Sequence, residues 1–486
     1  MTSSLHQSRA IDCAYVLTAS DQPVAGRSSI NIDGKHISSI EDATERAVEP
    51  LLALPALVNA HDHGRAVRTS SIGASGRPLE SWLPALALIP SVDPYLAAAI
   101  ALSNAALGGV GLVMVHYTRS QGFTDLPFEA AEVARAARDV GVRVGFAVAM
   151  RDRNPLVYGP SETILAALPA VARAEIERRF LRPAPSPRDY LALVDAVADA
   201  AAGPLFNVQY GPQGVQWCSD ALLEAVAEAS AGTGRRVHMH LLETRYQRSW
   251  ADSSYPGGIV KQLDAIGLLS PRLSLAHCVW ARPDELELLA ARGVTIVNNN
   301  SSNLHLRSGM APVARMLARG CRVALGVDGN ALDEDDDALR EFRLAHLLHA
   351  GTGFKAAVRR EQSLAMAFAN GRLSVTNVDD GGTIAAGAPA DLLLLDWAAL
   401  DDDRLREEAD VLGLLFARAT ARHVRELIVG GRTVVHDRTV TGIDFAAARA
   451  EVIAQMRAGM RANAPLAAAL APLDRALAAH FEPDCC

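Results

Sequence analysis

Short apolar runs of strand length recur through the first two thirds of the chain, and segments with helical spacing separate them. Eight such runs occur, at 54–63, 111–118, 142–150, 205–214, 236–244, 273–280, 294–300 and 323–329. Strand-like runs alternating with helical patterns are the signature of parallel α/β architecture, and eight repeats predict a (β/α)8 TIM-like barrel over 55–375. The intervening segments agree: CSDALLEAVAEASAGTG and ARPDELELLAARG carry apolar residues at helical spacing and end in glycine. Residues 160–202, rich in Ala, Arg and Pro, predict two helices inserted between the third and fourth strands, shaping one side of a pocket.

The chain ends follow a different pattern. INIDGKHISSI near the start, and GTIAAGAPADLLLLD and ELIVGGRTVVHD near the end, are short alternating runs broken by glycine turns. They predict a small β-sandwich built jointly from 1–54 and 376–440. Residues 441–486 form a helical tail with no evident chemistry. The stretch 95–115 has about the length of a membrane span and carries no charge. However, Asp93-Pro94 is a helix start and Gly108, Gly109 and Gly111 break the run, so a buried helix followed by a buried strand is expected and no membrane is.

Composition refines this picture. With 486 residues, half of them apolar, the chain exceeds the ~250 residues of one barrel and leaves room for the second module. A formal charge of −8 without basic runs argues against nucleic acid, and favours a small substrate with little or no charge. The six cysteines (Cys13, Cys218, Cys278, Cys321, Cys485, Cys486) show no CxxC spacing, and no secretory leader opens the chain, so a cytoplasmic protein is expected. The missing CxxC also excludes the cytidine-deaminase type of zinc site.

Chemistry-bearing residues sit at the ends of these runs: His61 and His63 in LPALVNAHDH, His238, His240 and Glu243 in RVHMHLLET, His277 in LSLAHCVW and Asp328 in VALGVDGN. Side chains two apart on a strand share a face, so His61 and His63 enter the barrel while Asp62 points away. An HxH triplet is common by chance and weak alone. Of the second pair, His240 lies nearer the rim where barrel chemistry sits, and His238 is expected deeper, behind a ligand. A buried Asp328 is costly without a cation or donor beside it.

These motifs together resemble the amidohydrolase superfamily, in the branch of guanine, cytosine and S-adenosylhomocysteine deaminases and triazine hydrolases. The matching elements are PALVNAHDH, the H-x-x-E of His240 and Glu243, LAH at His277, SSNLHLRSG at 301–309, GVDG at Asp328, and G-x-x-A-D-L from Gly387 to Leu392. The resemblance implies one divalent metal held by His61, His63 and His240, with Asp328 a further ligand or close partner. Glu243 would carry a proton, and His277 would polarise the scissile group. Relatives with two metals use a carboxylated lysine on a barrel strand. Here Lys35, Lys261 and Lys355 are the only lysines and none lies on a predicted barrel strand, so one metal is expected. Zn²⁺ is the expected ion and Fe²⁺ the alternative.

A bound cation lowers the pKa of its water to ~7. On this scheme the catalytic groups are Asp328, which accepts the water's proton, His277, which stabilises charge on the attacked centre, and Glu243, which protonates the departing nitrogen. Trp82, Gln213 and Asn303 are the expected substrate-binding residues. Gln213 replaces a histidine usual in the deaminases, and Asn298, Asn299 and Asn300 stand where those relatives tend to show HCP. His116 is as consistent with packing as with lining the pocket, His305 with the surface, and the acidic run 333–337 with capping the next helix. The function expected is metal-dependent hydrolysis of a non-peptide C–N bond, with deamination of an amino-substituted N-heterocycle leading. Cleavage of an amide, urea or carbamate is the alternative, and a metal-free scaffold a remote one. Self-association into a homo-oligomer is expected.

Overall fold

The structure is a computed structural model that describes residues 8–43, 49–329, 331–406 and 410–482. Cys485 and Cys486 lie outside the described residues. Eight strands pair in parallel in chain order: β1 (Leu57–Asp62), β2 (Val110–Tyr117), β3 (Arg143–Met150), β4 (Phe206–Pro212), β5 (Val237–Leu241), β6 (Leu273–His277), β7 (Thr295–Asn298) and β8 (Arg322–Leu325). Helices wrap them, so the expected (β/α)8 barrel is the fold. Small and branched side chains fill its interior: Val58, Ala60, Leu112, Met114, Ala147, Val297 and Ala324 form one buried cluster.

The first and last strands meet through an asparagine instead of a regular ladder. Asn59 Oδ1 accepts from Val327 N at 2.8 Å, and beyond it Asp328 N donates to His61 O at 2.9 Å. Both contacts lie beside the histidines that end β1. Barrel closure therefore positions the site directly.

The run at 54–63 belongs to two sheets. Glu49–Pro55 pairs in parallel with Ser8–Val16 and antiparallel with Leu392–Asp396, and the chain enters the barrel only after Ala56. Apolar residues are continuous across this junction because both strands are buried there, so periodicity carries no mark of it. Strands from both chain ends make one continuous eight-stranded mixed sheet with its own core, including Ile30, Ile37, Leu392 and Ile428.

Three helices occupy 160–202 where two were expected: Glu162–Ala166, Ala170–Phe180 and Pro187–Ala201. The third is the regular helix between β3 and β4. Ser186 caps it, and its Tyr190, Val194 and Val197 join the main core. Only the first two are inserted, and they pack with the C-terminal helix Ala464–Phe481 through Ile164, Ile176, Leu466 and Leu473. Asp93 caps the helix Pro94–Leu107, β2 follows it, and no described helix is long and apolar enough to cross a membrane. Asp337 likewise caps Ala338–His349.

Asp391, in the G-x-x-A-D-L motif, ties the two sheets together. Its carboxylate accepts from Arg143 of β3 (2.9 Å), from Arg372 (3.0 Å) and from the N–H of Gly430 in the outer sheet (2.6 Å). Removing it leaves the Arg143 guanidinium without its anion and Arg372 with Asp380 as its remaining one. Asp391→Ala is expected to destabilise the protein by about 3 kcal/mol in chemical denaturation, and an effect below about 0.5 kcal/mol, usual for surface substitutions, would show that the two sheets hold without it.

Candidate metal centre

Residues at or just beyond the ends of β1, β5, β6 and β8 converge at the C-terminal end of the barrel. The β1–β2 ladder slips between Asn59 and Asp62. Val58 and Ala60 face the interior before this bulge, and the slip brings His61 and His63 inward after it. Asp62 points away, and its carboxylate accepts from the N–H groups of His63, Gly64 and Gly329. At the end of β6 and just beyond β8 the backbone is left-handed, with φ of 75° at His277 and 59° at Asp328. Such conformations cost about 1–3 kcal/mol at a non-glycine residue and concentrate at functional sites.

Each of three rings has its Nδ1 engaged on the side away from the centre. His63 Nδ1 donates to His116 O at 2.9 Å, and His240 Nδ1 to Gln213 O at 2.6 Å. His61 Nδ1 lies 2.6 Å from His238 Nε2, and His238 Nδ1 lies 2.7 Å from Ser274 Oγ. With Ser274 donating on to Val237 O, the proton order along this chain is defined. All three rings then turn a bare Nε2 toward the centre. Burial pushes His61 down to about 4 and holds His240 and His238 well below the usual histidine range, so these rings are neutral at pH 7.

Asp328 Oδ1 faces this cluster at 3.3 Å from His61 Nε2 and 3.2 Å from His63 Nε2. Its other oxygen accepts from Ser302 Oγ at 2.5 Å. Neither His61 Nε2 nor Asp328 Oδ1 has a hydrogen-bond partner, although both are fully buried. Lone pairs that face one another without an intervening hydrogen repel, and a cation between them removes the conflict. One atom each from His61, His63 and Asp328 lies within 4.8 Å of the others, and the same holds for His61, His240 and His277. The donor set suits a divalent metal. Lys35 and Lys355 lie in loops and Lys261 in the helix Ile259–Ala265, so no lysine reaches the barrel interior.

Glu243 and His277 flank this cluster. Glu243 Oε2 is 3.8 Å from His277 Nε2, which is 3.9 Å from Asp328 Oδ2. Burial raises Glu243 to about 7, against the pull of His277 and with the help of Asp328, so this acid can carry a proton at neutral pH. Both open onto a cavity of about 300 Å³ that Trp82, Gln213, Trp217 and Leu306 also line.

Trp82 and Gln213 reach this cavity, but Asn303 does not. Its Oδ1 accepts from His277 Nδ1 at 2.9 Å, behind the ring and outside the cavity lining. Asn300–His305 makes a short helix after β7, and its Asn303 meets the end of β6 at His277. Asn299 lies beside it, and a Cβ at Gly326 would come within 2.1 Å of the Asn299 side chain. His116 is buried with Nε2 on Gly211 O, and His305 reaches Leu332 O at the surface. Sequence reasoning missed Ser302, Asn59, Arg65 and the buried Glu80, whose carboxylate accepts from Tyr158 (2.7 Å) and Thr244 (2.6 Å). Ser302 and Asn59 lie inside recognised motifs; Glu80 and Arg65 carried no signal beyond proximity to them.

The sequence profile of the amidohydrolase family matches residues 52–465. The chain belongs to the amidohydrolase family. A 5-methylthioadenosine/S-adenosylhomocysteine deaminase of Moorella thermoacetica is 30% identical over 415 residues, covering 84% of this chain and 87% of that one. A 5'-deoxyadenosine deaminase of Methanosarcina barkeri is 29% identical over 445 residues, covering 89% and 93%. Among solved structures, an adenosine deaminase from Xanthomonas campestris with bound zinc superposes with a TM-score of 0.77 at 23% identity, covering 93% of this chain and 98% of its own. The resemblance drawn from the strand-end motifs is thus borne out, and the protein is a hydrolase of this family. Its barrel and outer sheet recur in the zinc-bound neighbour.

Equilibrium dialysis of chelator-treated amidohydrolase is expected to return one Zn²⁺ per chain and to raise the melting temperature. His61→Ala and His240→Ala should each abolish that rise, and full zinc retention in either variant would exclude the replaced ring as a ligand.

Proposed function

We propose that this amidohydrolase removes ammonia from an amino-substituted N-heterocycle, using one divalent metal held by His61, His63, His240 and Asp328. The observation that carries the ligand assignment is the set of bare Nε2 atoms facing the unpartnered Asp328 oxygen. Zn²⁺ is the ion proposed, on the strength of the nitrogen-rich donor set and the zinc-bound structural neighbour. Deamination of a ring is favoured over amide or urea cleavage because the relatives above are named as deaminases of adenosine-like compounds.

The metal, when bound, acidifies a water and supplies the nucleophile at neutral pH. Asp328 takes the proton from the attacking water, and Ser302 holds the second oxygen so that the carboxylate keeps its orientation. His277 stands where charge develops on the ring nitrogen next to the attacked carbon. Its Nδ1–H is committed to Asn303, so Nε2 needs a proton to donate, and Glu243 at 3.8 Å is the group able to exchange one with it. Glu243, recharged by the proton that Asp328 took from the water, also delivers a proton to the departing amine, and the adduct's hydroxyl proton then restores Glu243, so the water's two protons account for those on the ring nitrogen and the ammonia. Trp82, 3% exposed, offers a flat wall for the ring.

Glu243→Gln should bind zinc at the wild-type ratio and lose roughly 10²–10⁴-fold in turnover, the usual worth of a general acid. A zinc-loaded enzyme screened by mass spectrometry against aminopurines, aminopyrimidines, pterins and triazines, beside aryl amides and ureas, should release ammonia from a ring. Release of an alkyl or aryl amine with every ring intact would replace deamination by amide or urea hydrolysis.

A further inference from the structure

The cavity beside the metal cluster is lined by four arginines, Arg65, Arg119, Arg151 and Arg179, although the chain as a whole is acidic at −8. Its three acids are already engaged: Asp328 and Glu243 at the centre, and Glu80 with Tyr158 and Thr244. Two of the arginines also have tasks. Arg65 donates to Asp328 O at 2.7 Å and lies over the Trp82 ring at 4.8 Å, while Arg179 donates to Glu175 and Asn463.

Arg119 and Arg151 have no such partner. Among the described residues Arg119 hydrogen-bonds only the carbonyl of Ile89, and Glu129, whose charge acts on it, is held by Tyr117 and by the N–H groups of Gln121 and Gly122. The Arg151 guanidinium makes no hydrogen bond or ion pair among the described residues. Burial lowers Arg119 below the usual arginine range, and the facing Arg179 adds to the effect. The half-buried Arg119 is costly to hold without an anion, and the solvent-exposed Arg151 adds a second positive charge to the same cavity. The helices Leu79–Ala85 and Ala170–Phe180, backed by the C-terminal helix, form the wall beside them, so the placement is built into the scaffold.

We propose that the substrate carries an anionic substituent, a carboxylate or phosphate, which Arg119 and Arg151 bind while its ring faces the metal cluster. This rests on the deaminase reading for the ring and adds the anion, and it replaces the expectation of a substrate with little or no charge. Guanidinium geometry matches both anions in bidentate fashion. The negative net charge of the surface does not oppose this, because four arginines outnumber the three already engaged acids that line the cavity.

The test compares binding of matched neutral and anionic probes to the zinc-loaded enzyme by calorimetry. Benzamide and benzoate are the small pair, and pterin and pterin-6-carboxylate the heterocyclic pair. Because a metal also attracts carboxylates, the deciding quantity is how the anionic preference changes between the wild type and the Arg119→Met, Arg151→Met and double variants at equal zinc content. Each single variant should reduce the preference roughly tenfold to a hundredfold, the double variant should lose both contributions, and Arg119→Lys, which keeps the charge, should recover part of the loss. A preference unchanged in the double variant, or absent in the wild type, would overturn the proposal. The two readings fail separately. Ammonia release from neutral rings with no anionic preference sinks the anion site alone, whereas a preference that collapses in the double variant with no ring deaminated sinks the deaminase reading alone.

Discussion

The burial of unprotonated imidazole nitrogens opposite a carboxylate is the constraint around which the rest of the structure is arranged. Water does not reach His61, and its Nε2 points at an oxygen that has no proton to give. Such an arrangement is stable only when a cation occupies it or when the scaffold holds the groups against their repulsion. The scaffold does so by engaging every ring from behind: His63 on a carbonyl of β2, His240 on one after β4, and His61 on His238 and then Ser274 of β6. Neighbouring strands therefore determine which nitrogen each ligand offers.

The same economy of parts explains the closure of the barrel. Asn59 replaces ladder bonds between β1 and β8, and its Nδ2 donates to Asp62, which in turn caps the loop leading away from His63. One asparagine thus couples the geometry of two proposed ligands, His61 and Asp328. At the other end of the barrel, Asp391 links β3 to the outer sheet. The two devices hold opposite faces of the barrel, one for chemistry and one for stability, as the fold requires.

The C-terminal tail shows how an element without chemistry of its own shapes a pocket. Leu466, Leu470, Leu473 and Leu477 pack on the two inserted helices, and the wall so formed carries Arg179 and Phe180 to the cavity. Global charge is a poor guide to such a cavity. Acidic residues dominate the count, yet many pair with arginines at the surface, while the arginines that matter for a ligand are few and gathered along one cavity.

Much of the protein was legible in the sequence because barrel strands are short, buried and separated by amphipathic helices, and because metal ligands fall at their ends. His61, His63, His240, Glu243, His277 and Asp328 could be named this way, and Asp93 and Asp337 as caps followed from local chemistry alone. Four things needed the tertiary structure. The split of one apolar run between two sheets left no trace in periodicity, since both strands are buried. The bulge after Asn59 depends on a partner strand distant in the chain. Asn303 lies behind His277 because the turn of a short helix, and not its sequence, determines which face looks into the cavity. The company of Arg119 and Arg151 is likewise set by packing, because whether a charge has a partner is a property of neighbours that only folding brings together.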